Sequence, residues 1–166
     1  MTDPAALPNF PPPPDEHPLR GRVLDALIDM QLGPNIDDDG DVAFTVNEQS
    51  LFVRCLEADV TLMRVFGQWQ IAAPVPDDEL VQLRACNDVN LAMNLVRTGL
   101  ANGTLVGAVD HLVLPNDDVA GLLGVSIQVV LTAVQLWHQR VLGIDPTNPD
   151  GRPDPGAPPT PNPEGA

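Results

Sequence analysis

The residues best suited to chemistry by type and spacing form an acidic turn, Asp37-Asp38-Asp39-Gly40-Asp41. Together with Asn35, this turn matches the first, third, fifth and sixth positions of an EF-hand calcium loop. The twelfth position, which supplies a bidentate glutamate in such loops, is Val46, and a strand pattern follows where a helix is required. The sequence therefore predicts a solvated turn that leads into a strand, without a specific calcium site.

Other groups that could bind a metal or attack a substrate are few and scattered. They are His17, His111, His138, Cys55, Cys86, Ser50 and Ser126. The histidines have no metal-ligand spacing. Asp110 and His111 are neighbours on a predicted strand, so their side chains point to opposite faces of the sheet and cannot form a dyad. The cysteines form no CxxC pair and fit small buried hydrophobic residues, while the serines lack a nucleophile elbow. No glycine-rich phosphate loop precedes a helix. We therefore expect a non-enzymatic chain with no catalytic residues, no metal and no cofactor.

Net charge limits the partners that the chain can bind. The formal charge is −15, from 23 acidic residues against eight arginines and no lysine. Affinity for nucleic acid depends on clustered positive charge that neutralises phosphates, and anionic lipid attracts the same groups, so both partners are disfavoured. No apolar run approaches the roughly 20 residues of a membrane span, and the first 30 residues lack a signal-peptide pattern. We expect a cytoplasmic protein with no membrane insertion.

Proline marks the domain boundaries. Seven of the 19 prolines fall in residues 1–18 and eight fall in residues 146–163. Proline lacks a backbone donor and has a fixed φ, so these runs cannot join a sheet or lie inside a helix. We expect disordered or polyproline-like segments at 1–18 and 144–166, and one domain at 19–143 that is long enough to form a core without disulfides or metal.

The intervening residues alternate between helical and strand patterns. Strands are predicted at 42–47, 50–57, 62–71, 95–101 and 104–114. Helices are predicted from about Pro18 to Gly33-Pro34, from Asp77 to about Met93, and from Val119 to about Leu142. Short connections between sequential strands favour antiparallel pairing, and Asn102-Gly103 is a strong hairpin signal. The result is an α+β fold with a single antiparallel sheet of about five strands in the order α-β-β-β-α-β-β-α.

Helical periodicity also predicts which side chains face the core. In the first helix they are Val23, Leu24, Leu27, Ile28 and Gln31. The second helix has a weaker pattern, in which Asn87 and Asn90 interrupt apolar positions that include Leu80, Leu83, Val89 and Leu91. In the last helix they are Val119, Leu122, Leu123, Ser126, Val130, Ala133, Val134 and Trp137.

The last helix is apolar beyond its core-facing stripe. Val125, Val129 and Leu136 widen the apolar arc on one flank, and Ile127 with Leu131 widens it on the other. No charged residue occurs between residues 119 and 139. A helix that is apolar over most of its circumference is typically buried on more than one side, which favours a homodimer or a client-binding surface over a deep core helix.

Two amides of the second helix are further candidates for partner binding. Asn87 and Asn90 lie three residues apart, on one face. They could contact the backbone of a bound peptide, or they could satisfy strand ends within their own fold, as buried amides usually do.

The order of several short sequence pieces carries a family resemblance. The pieces are Leu32-Gly33-Pro34, Ile36 to Asp41, Leu51-Phe52-Val53-Arg54, Val65-Phe66-Gly67-Gln68-Trp69 and Asn87-Asp88-Val89-Asn90. Over roughly residues 19–142, this order resembles the actinobacterial YbjN-domain proteins, which are similar in fold to type III secretion chaperones. The resemblance implies a non-enzymatic, cytoplasmic protein of chaperone-like or regulatory type that binds a peptide or protein client and can form a dimer.

Two alternatives remain open from the sequence. The chain could be a structural subunit of a larger complex, in which the apolar last helix is permanently paired. It could also be a small-ligand sensor with a pocket between the sheet and the last helix. The residues identify neither the client nor the pathway.

Overall fold

The computed structural model describes residues 18–144, so the predicted proline-rich segments lie almost wholly outside the described residues. The helices are α1 (Pro18–Asp29), α2 (Glu79–Ala92) and α3 (Val119–Val141). The strands are β1 (Asn35–Ile36), β2 (Val42–Val46), β3 (Gln49–Glu57), β4 (Thr61–Gln70), β5 (Val96–Ala101) and β6 (Thr104–Leu112). The predicted α+β class, single antiparallel sheet and element order are confirmed. The sheet has six strands where the sequence predicted about five. The strand that was missed is β1, which at two residues is too short to show any periodicity in the sequence.

The sheet is covered by helices on one face. Its strand order is β1-β2-β3-β4-β6-β5, with every neighbouring pair antiparallel. Helix α3 packs on β4, β6 and β5 in the middle, with α1 beside it over β2 and β3 and α2 beside it over β5. Alternate strand residues such as Leu51, Val65 and Leu105 are fully buried on this side. No helix covers the opposite face within residues 18–144.

Both two-residue hairpins use left-handed backbone conformations. Asn102 and Gly103 have φ of 51° and 73°, as the Asn-Gly signal predicts, and they join β5 to β6. Asn47 and Glu48 have φ of 48° and 64° and join β2 to β3 in the same way. These turns fix the register of each strand pair, and therefore which side chains face the helices.

The predicted core stripe of α1 needs correction. Helix α1 ends at Asp29, before Gly33, because Gln31 adopts φ of 60° and the Leu32 N–H bonds the Leu27 carbonyl at 3.0 Å. Gln31, which follows the helix, is exposed, and Ile28 is exposed on the outward side of α1 itself.

In α2, Val89 is the buried one of the four apolar positions named from the sequence, and Leu80, Leu83 and Leu91 face solvent.

Helix α3 has the predicted core stripe. Every residue of that stripe is buried except Leu122, which is partly buried. By length and composition alone α3 could cross a membrane, with a mean hydropathy of 1.9 over 18 residues, which corrects the expectation that no apolar run approaches that length. Its inward side chains, including the fully buried Val130 and Trp137, belong to the core of the domain.

Candidate binding surfaces

His111 and Ser126 are brought together in space, which their sequence separation does not reveal. The His111 Nε2 lies 2.7 Å from the Ser126 Oγ, and this hydroxyl also donates to the Leu122 carbonyl at 2.7 Å. With the serine proton directed to the Leu122 carbonyl, the hydroxyl oxygen accepts a hydrogen bond from the His111 Nε2–H, so this arrangement does not place the histidine as a base. Ser126 is fully buried, so no substrate reaches the pair. The contact joins β6 to α3 and has no arrangement suited to nucleophilic catalysis.

The acidic turn uses its carboxylates for internal contacts. Asp37 Oδ1 accepts hydrogen bonds from the backbone N–H groups of Asp39 and Asp41, at 3.0 and 2.9 Å. The Asp41 carboxylate accepts two hydrogen bonds from Arg54, at 2.9 and 2.6 Å, and this contact raises the pKa of Arg54. Among residues 18–144, no three His, Cys, Asp or Glu side chains cluster as metal ligands would. The turn closes on itself and is anchored to β3.

Neither thiol in the described chain is activated. Burial raises the pKa of Cys55 to about 12, and burial also raises the pKa of Cys86. Both shifts favour the neutral thiol, which is a poor nucleophile and a poor metal ligand.

The predicted partner-binding residues of α3 have different surroundings. Val125 is 53% exposed, whereas Val129, Leu136 and Leu131 are partly buried against the core, and Ile127 is buried at 8% exposure. The outermost face of α3 is formed instead by small or uncharged polar residues: Gly121, Gly124, Gln128, Thr132 and Gln135. Packing of α3 between α1 and α2 covers part of its wide apolar arc, and Val125 is the most exposed of the five predicted residues.

The two predicted asparagines also differ. The Asn90 side chain bonds both backbone groups of Thr98 on β5, accepting from its N–H at 2.7 Å and donating to its carbonyl at 3.1 Å. This is the internal role that the sequence left open as an alternative. Asn87 is exposed, and its amide has no hydrogen-bond partner among the described residues.

Helix α2 exposes its large apolar side chains and buries small or polar ones. Leu80, Leu83 and Leu91 are 56%, 45% and 79% exposed. They share one helix face with Asn87, and we call these four residues the α2 leucine face. The inward face of α2 consists of Gln82, Ala85, Cys86 and Val89. The Gln82 side-chain amide donates to the Pro76 carbonyl at 2.8 Å, and the Gln82 backbone carbonyl accepts the Trp137 indole N–H at 3.2 Å, which ties this face of α2 to α3.

The helix-free face of the sheet has a second apolar group at one end. Leu56, Leu62 and Leu112 are cross-strand neighbours on β3, β4 and β6, and Leu56 and Leu112 are exposed. In the middle of this face, Phe66 is buried by its own neighbours, because Phe52 stacks on it at 5.4 Å and the Arg54 guanidinium lies 5.5 Å from its ring centre. The centre of the helix-free face is therefore covered by its own side chains, while the leucine side chains at its end are exposed to solvent.

A cleft of about 590 Å³ lies between α3 and the β2–β3 hairpin, and we call it the amide cleft. It is lined by Asn47, Gln49, Trp69, Gln128, Leu131, Thr132, Val134, Gln135 and His138. None of these lining residues is an acid, an arginine or a lysine, although the whole chain has a formal charge of −15. The cleft therefore offers mainly amide groups and apolar surface.

Trp69 is held in the cleft by close packing and one hydrogen bond. Its indole N–H donates to the Gln49 Oε1 at 3.1 Å. The ring lies over Gly67, where an added Cβ would come within 2.3 Å of the indole and within 2.8 Å of Leu51. Glycine at 67 is thus required for this ring position. The bond to Trp69 also leaves the amide nitrogen of Gln49 free to donate.

Comparison with known proteins supports the fold. No family model matches the sequence, and a search of curated proteins finds no match either. Among solved structures, a chain of the HopA1–SchA chaperone–effector complex aligns at a TM-score of 0.55 with 14% identity, over 72% of this chain and 92% of that one. YbjN from E. coli, a proposed transcription regulator, aligns at 0.50 with 10% identity, over 75% of this chain and 93% of that one. At these identities the likeness concerns the fold alone, and the chain has the YbjN-like and chaperone-like fold that its motif order predicts.

Proposed function

We propose that the chain is a non-enzymatic protein-binding module of chaperone-like type, whose α2 leucine face docks a partner protein. The proposal includes a cytoplasmic location and the actinobacterial type of YbjN domain, both predicted by the sequence. Support for a protein partner comes from the fold shared with a chain of a chaperone–effector complex. The two solved structures named above belong to a chaperone-like and a regulator-like protein, and neither is an enzyme.

The observation that carries the proposal is the inverted amphipathicity of α2. A surface helix normally turns its leucines to the core and its amides to water. Here Gln82 is buried while Leu91 is 79% exposed. Burying the exposed parts of three leucines would contribute on the order of 3 kcal/mol, or about a hundredfold in affinity. A partner that covers this face would supply the burial that the isolated chain lacks.

Asn87 gives the α2 leucine face a polar centre. Its amide has one donor group and one acceptor group available, and it lies between Leu83 and Leu91 along the helix. An amide within an apolar contact fixes the register of a partner, because a displaced partner would leave it unpaired. The face therefore has both the apolar area and the directional group of a specific interface.

The test compares three full-length proteins in affinity capture from extracts of the native host, with light scattering on each purified protein. We expect Leu83→Glu with Leu91→Glu to lose the bound partner, or the second copy, that the unmodified chain retains. Ile28→Glu is the matched control, because Ile28 is an exposed apolar residue on a different helix, at 59% exposure. Equal capture by the double variant and the control, with unchanged mass, would overturn the assignment of α2 as the docking face.

A further inference from the structure

The amide cleft, between α3 and the β2–β3 hairpin, has no role in the proposed function. We propose that it is a binding site for a neutral saccharide, with Trp69 as the stacking surface and the surrounding amides as hydrogen-bonding groups. The site is separate from the α2 leucine face, because the cleft lies on the β2–β3 side of α3 while α2 packs over β5. The two proposals therefore succeed or fail independently of each other.

Trp69 is a fixed, partly exposed aromatic surface. The six-membered part of its indole rests on Gly67 and Gly107, which are cross-strand partners on β4 and β6, so one face of the ring packs on backbone. Its N–H is bound to Gln49 on β3. These contacts hold the ring in place before any ligand arrives, and its remaining accessible surface lines the cleft. A ring that is already fixed loses little conformational entropy when a ligand binds.

Amide side chains stand on both walls of the cleft. On the hairpin wall, Asn47 is exposed, and Gln49 keeps its amide nitrogen free because its oxygen alone is bound to Trp69. On the helix wall, Gln128 and Gln135 are exposed and seven residues apart, which places them on one face of α3, about 10 Å apart along its axis. The amides of Asn47, Gln128 and Gln135 have no hydrogen-bond partner among the described residues. Each of these three offers donor and acceptor groups side by side.

His138 adds an acceptor to the helix wall. Its Nδ1 lies 2.9 Å from the Val134 carbonyl, which can only accept, so Nδ1 carries a proton and donates. In the neutral ring, Nε2 is then an acceptor. The cleft thus combines donors with acceptors, which suits hydroxyl groups because each hydroxyl both donates and accepts.

This combination matches the chemistry of a neutral sugar. One face of a pyranose ring carries mainly C–H groups, which pack on an aromatic ring, while hydroxyl groups project from its rim toward neighbouring amides. No acid, arginine or lysine is among the lining residues, so an ionic ligand would find no such partner there. The cleft volume of about 590 Å³ is within the roughly 300–1,000 Å³ of small-ligand sites. A monosaccharide or a disaccharide is therefore the class of ligand that the cleft would take.

Other ligands match the lining less well. A nucleobase presents its polar atoms along the edges of one flat ring, whereas the amides of this cleft face each other from two walls. A nucleotide would also bring phosphates toward a chain with a formal charge of −15. An extended peptide docks along a free strand edge or a row of side-chain pockets. The cleft instead meets the sheet at a hairpin turn and has a single tryptophan among its lining residues.

The test is an NMR titration of the full-length chain with glucose, galactose, mannose, N-acetylglucosamine, maltose, cellobiose and trehalose, each added separately. We expect at least one sugar to shift the Trp69 indole N–H and Gln135 side-chain amide signals along one saturable curve. A Kd of about 0.1–10 mM is expected for one stacked ring and a few neutral hydrogen bonds. The exposed Asn87 amide on α2 is the internal reference and should not shift. The Kd should not change between about 50 and 500 mM salt, since the sugars are uncharged.

Three variants of the full-length chain locate the site. Gln135→Ala removes one exposed amide and should weaken binding about fivefold or more. Trp69→Leu should weaken it at least about tenfold, with circular dichroism to show that the fold is retained. Where Trp69→Leu does not fold, Gln135→Ala decides alone. Gln68→Ala is the matched control, because Gln68 is an exposed glutamine beside Trp69 on β4 that points to the opposite face of the sheet, and its affinity should equal that of the unmodified chain.

Four results would each overturn the proposal. The first is the failure of every sugar to give a saturable shift at concentrations up to about 100 mM. The second is equal affinity of Gln135→Ala and Gln68→Ala, and the third is a shift of Asn87 that follows that of Gln135. The fourth is a saturable shift of the Trp69 signal by adenosine and by none of the sugars.

Discussion

At the scale of single residues, Gly67 and Trp69 show how a missing side chain can define a surface. Trp69 is the only tryptophan among residues 18–144 with partial exposure, since Trp137 is fully buried. Its ring lies where the Cβ of any residue other than glycine at 67 would be. The hydrogen bond to Gln49 then fixes the indole edge toward the β2–β3 hairpin.

Replacing Gly67 by alanine should lower the free energy of unfolding by about 1–3 kcal/mol, because overpacking displaces Trp69 and Leu51. Gly99→Ala is the control on the same sheet, since an added Cβ there meets nothing within 4 Å, and its effect should stay within about 0.5 kcal/mol. Chemical denaturation followed by circular dichroism measures both. Equal effects of the two substitutions would show that the Trp69 contact does not restrict position 67.

His111 supplies a pH dependence at the same scale. Burial lowers the pKa of His111 below its usual 6.5, so the unfolded chain takes up this proton before the folded chain does. Stability should therefore be complete above pH 6.5 and decrease as the pH falls below it. The His111→Gln variant should lose this part of the pH dependence in thermal melts between pH 7.5 and 5.5. An unchanged slope in the variant would contradict the assignment to His111.

Residue-level expectations from the sequence succeeded where a short local pattern is decisive. Asn102-Gly103 forms the predicted hairpin between β5 and β6. The pairing of His111 with Ser126, and that of Asn90 with Thr98, depends on how strands and helices meet in space. Such contacts have no signature along the chain, so the sequence could give only alternatives for Asn90.

At the scale of elements, α2 and α3 depart from simple amphipathic patterns for different reasons. In α3 the wide apolar arc is explained by neighbours on both sides, since α1 and α2 flank it over the sheet. In α2 the leucines do share one helix face, but that face is exposed to solvent instead of packed on the core. A helical pattern shows that residues share a face, but it does not show which face meets the core. The inward face of α2 carries Gln82, whose side-chain amide donates to the Pro76 carbonyl and whose backbone carbonyl accepts the Trp137 indole N–H.

Three valines of α3 differ in burial and so separate core from surface. Val130→Glu should unfold the domain, because this site is fully buried and an unpaired buried carboxylate costs several kcal/mol. Val125→Glu should leave the fold intact at its 53% exposed site, and Val129→Glu, which is partly buried, should fall between them. Circular dichroism during thermal unfolding ranks the three variants. A stability loss at Val125 as large as at Val130 would contradict the position of α3 in the sheet-covering layer.

At the scale of the whole molecule, the core and the proposed docking face belong to the same described domain. Among residues 18–144, the core extends from Leu19 in α1 to Val141 in α3. The sequence predicted the α+β class and the order of the elements along the chain, whereas the division into one domain and two proline-rich segments stays a prediction. The short β1 could not be predicted, because two residues pairing with β2 depend on the register of their neighbour.

A chain of residues 17–144 should unfold in a single cooperative transition, like the full-length protein, because the proline-rich segments have little apolar surface to contribute. Differential scanning calorimetry compares the two. Loss of secondary structure, or a much lower melting temperature in the shorter chain, would show that an end segment is part of the folding unit.

The central claim is that the α2 leucine face contacts another protein. A photoreactive amino acid placed at Leu91, in the full-length chain expressed in its native host, tests this contact directly. We predict a specific cross-linked product that contains either one partner protein or a second copy of this chain, identified by mass spectrometry. The same group at Ile28 should give no such product. Absence of a product at position 91, or the same products at both positions, would contradict the account.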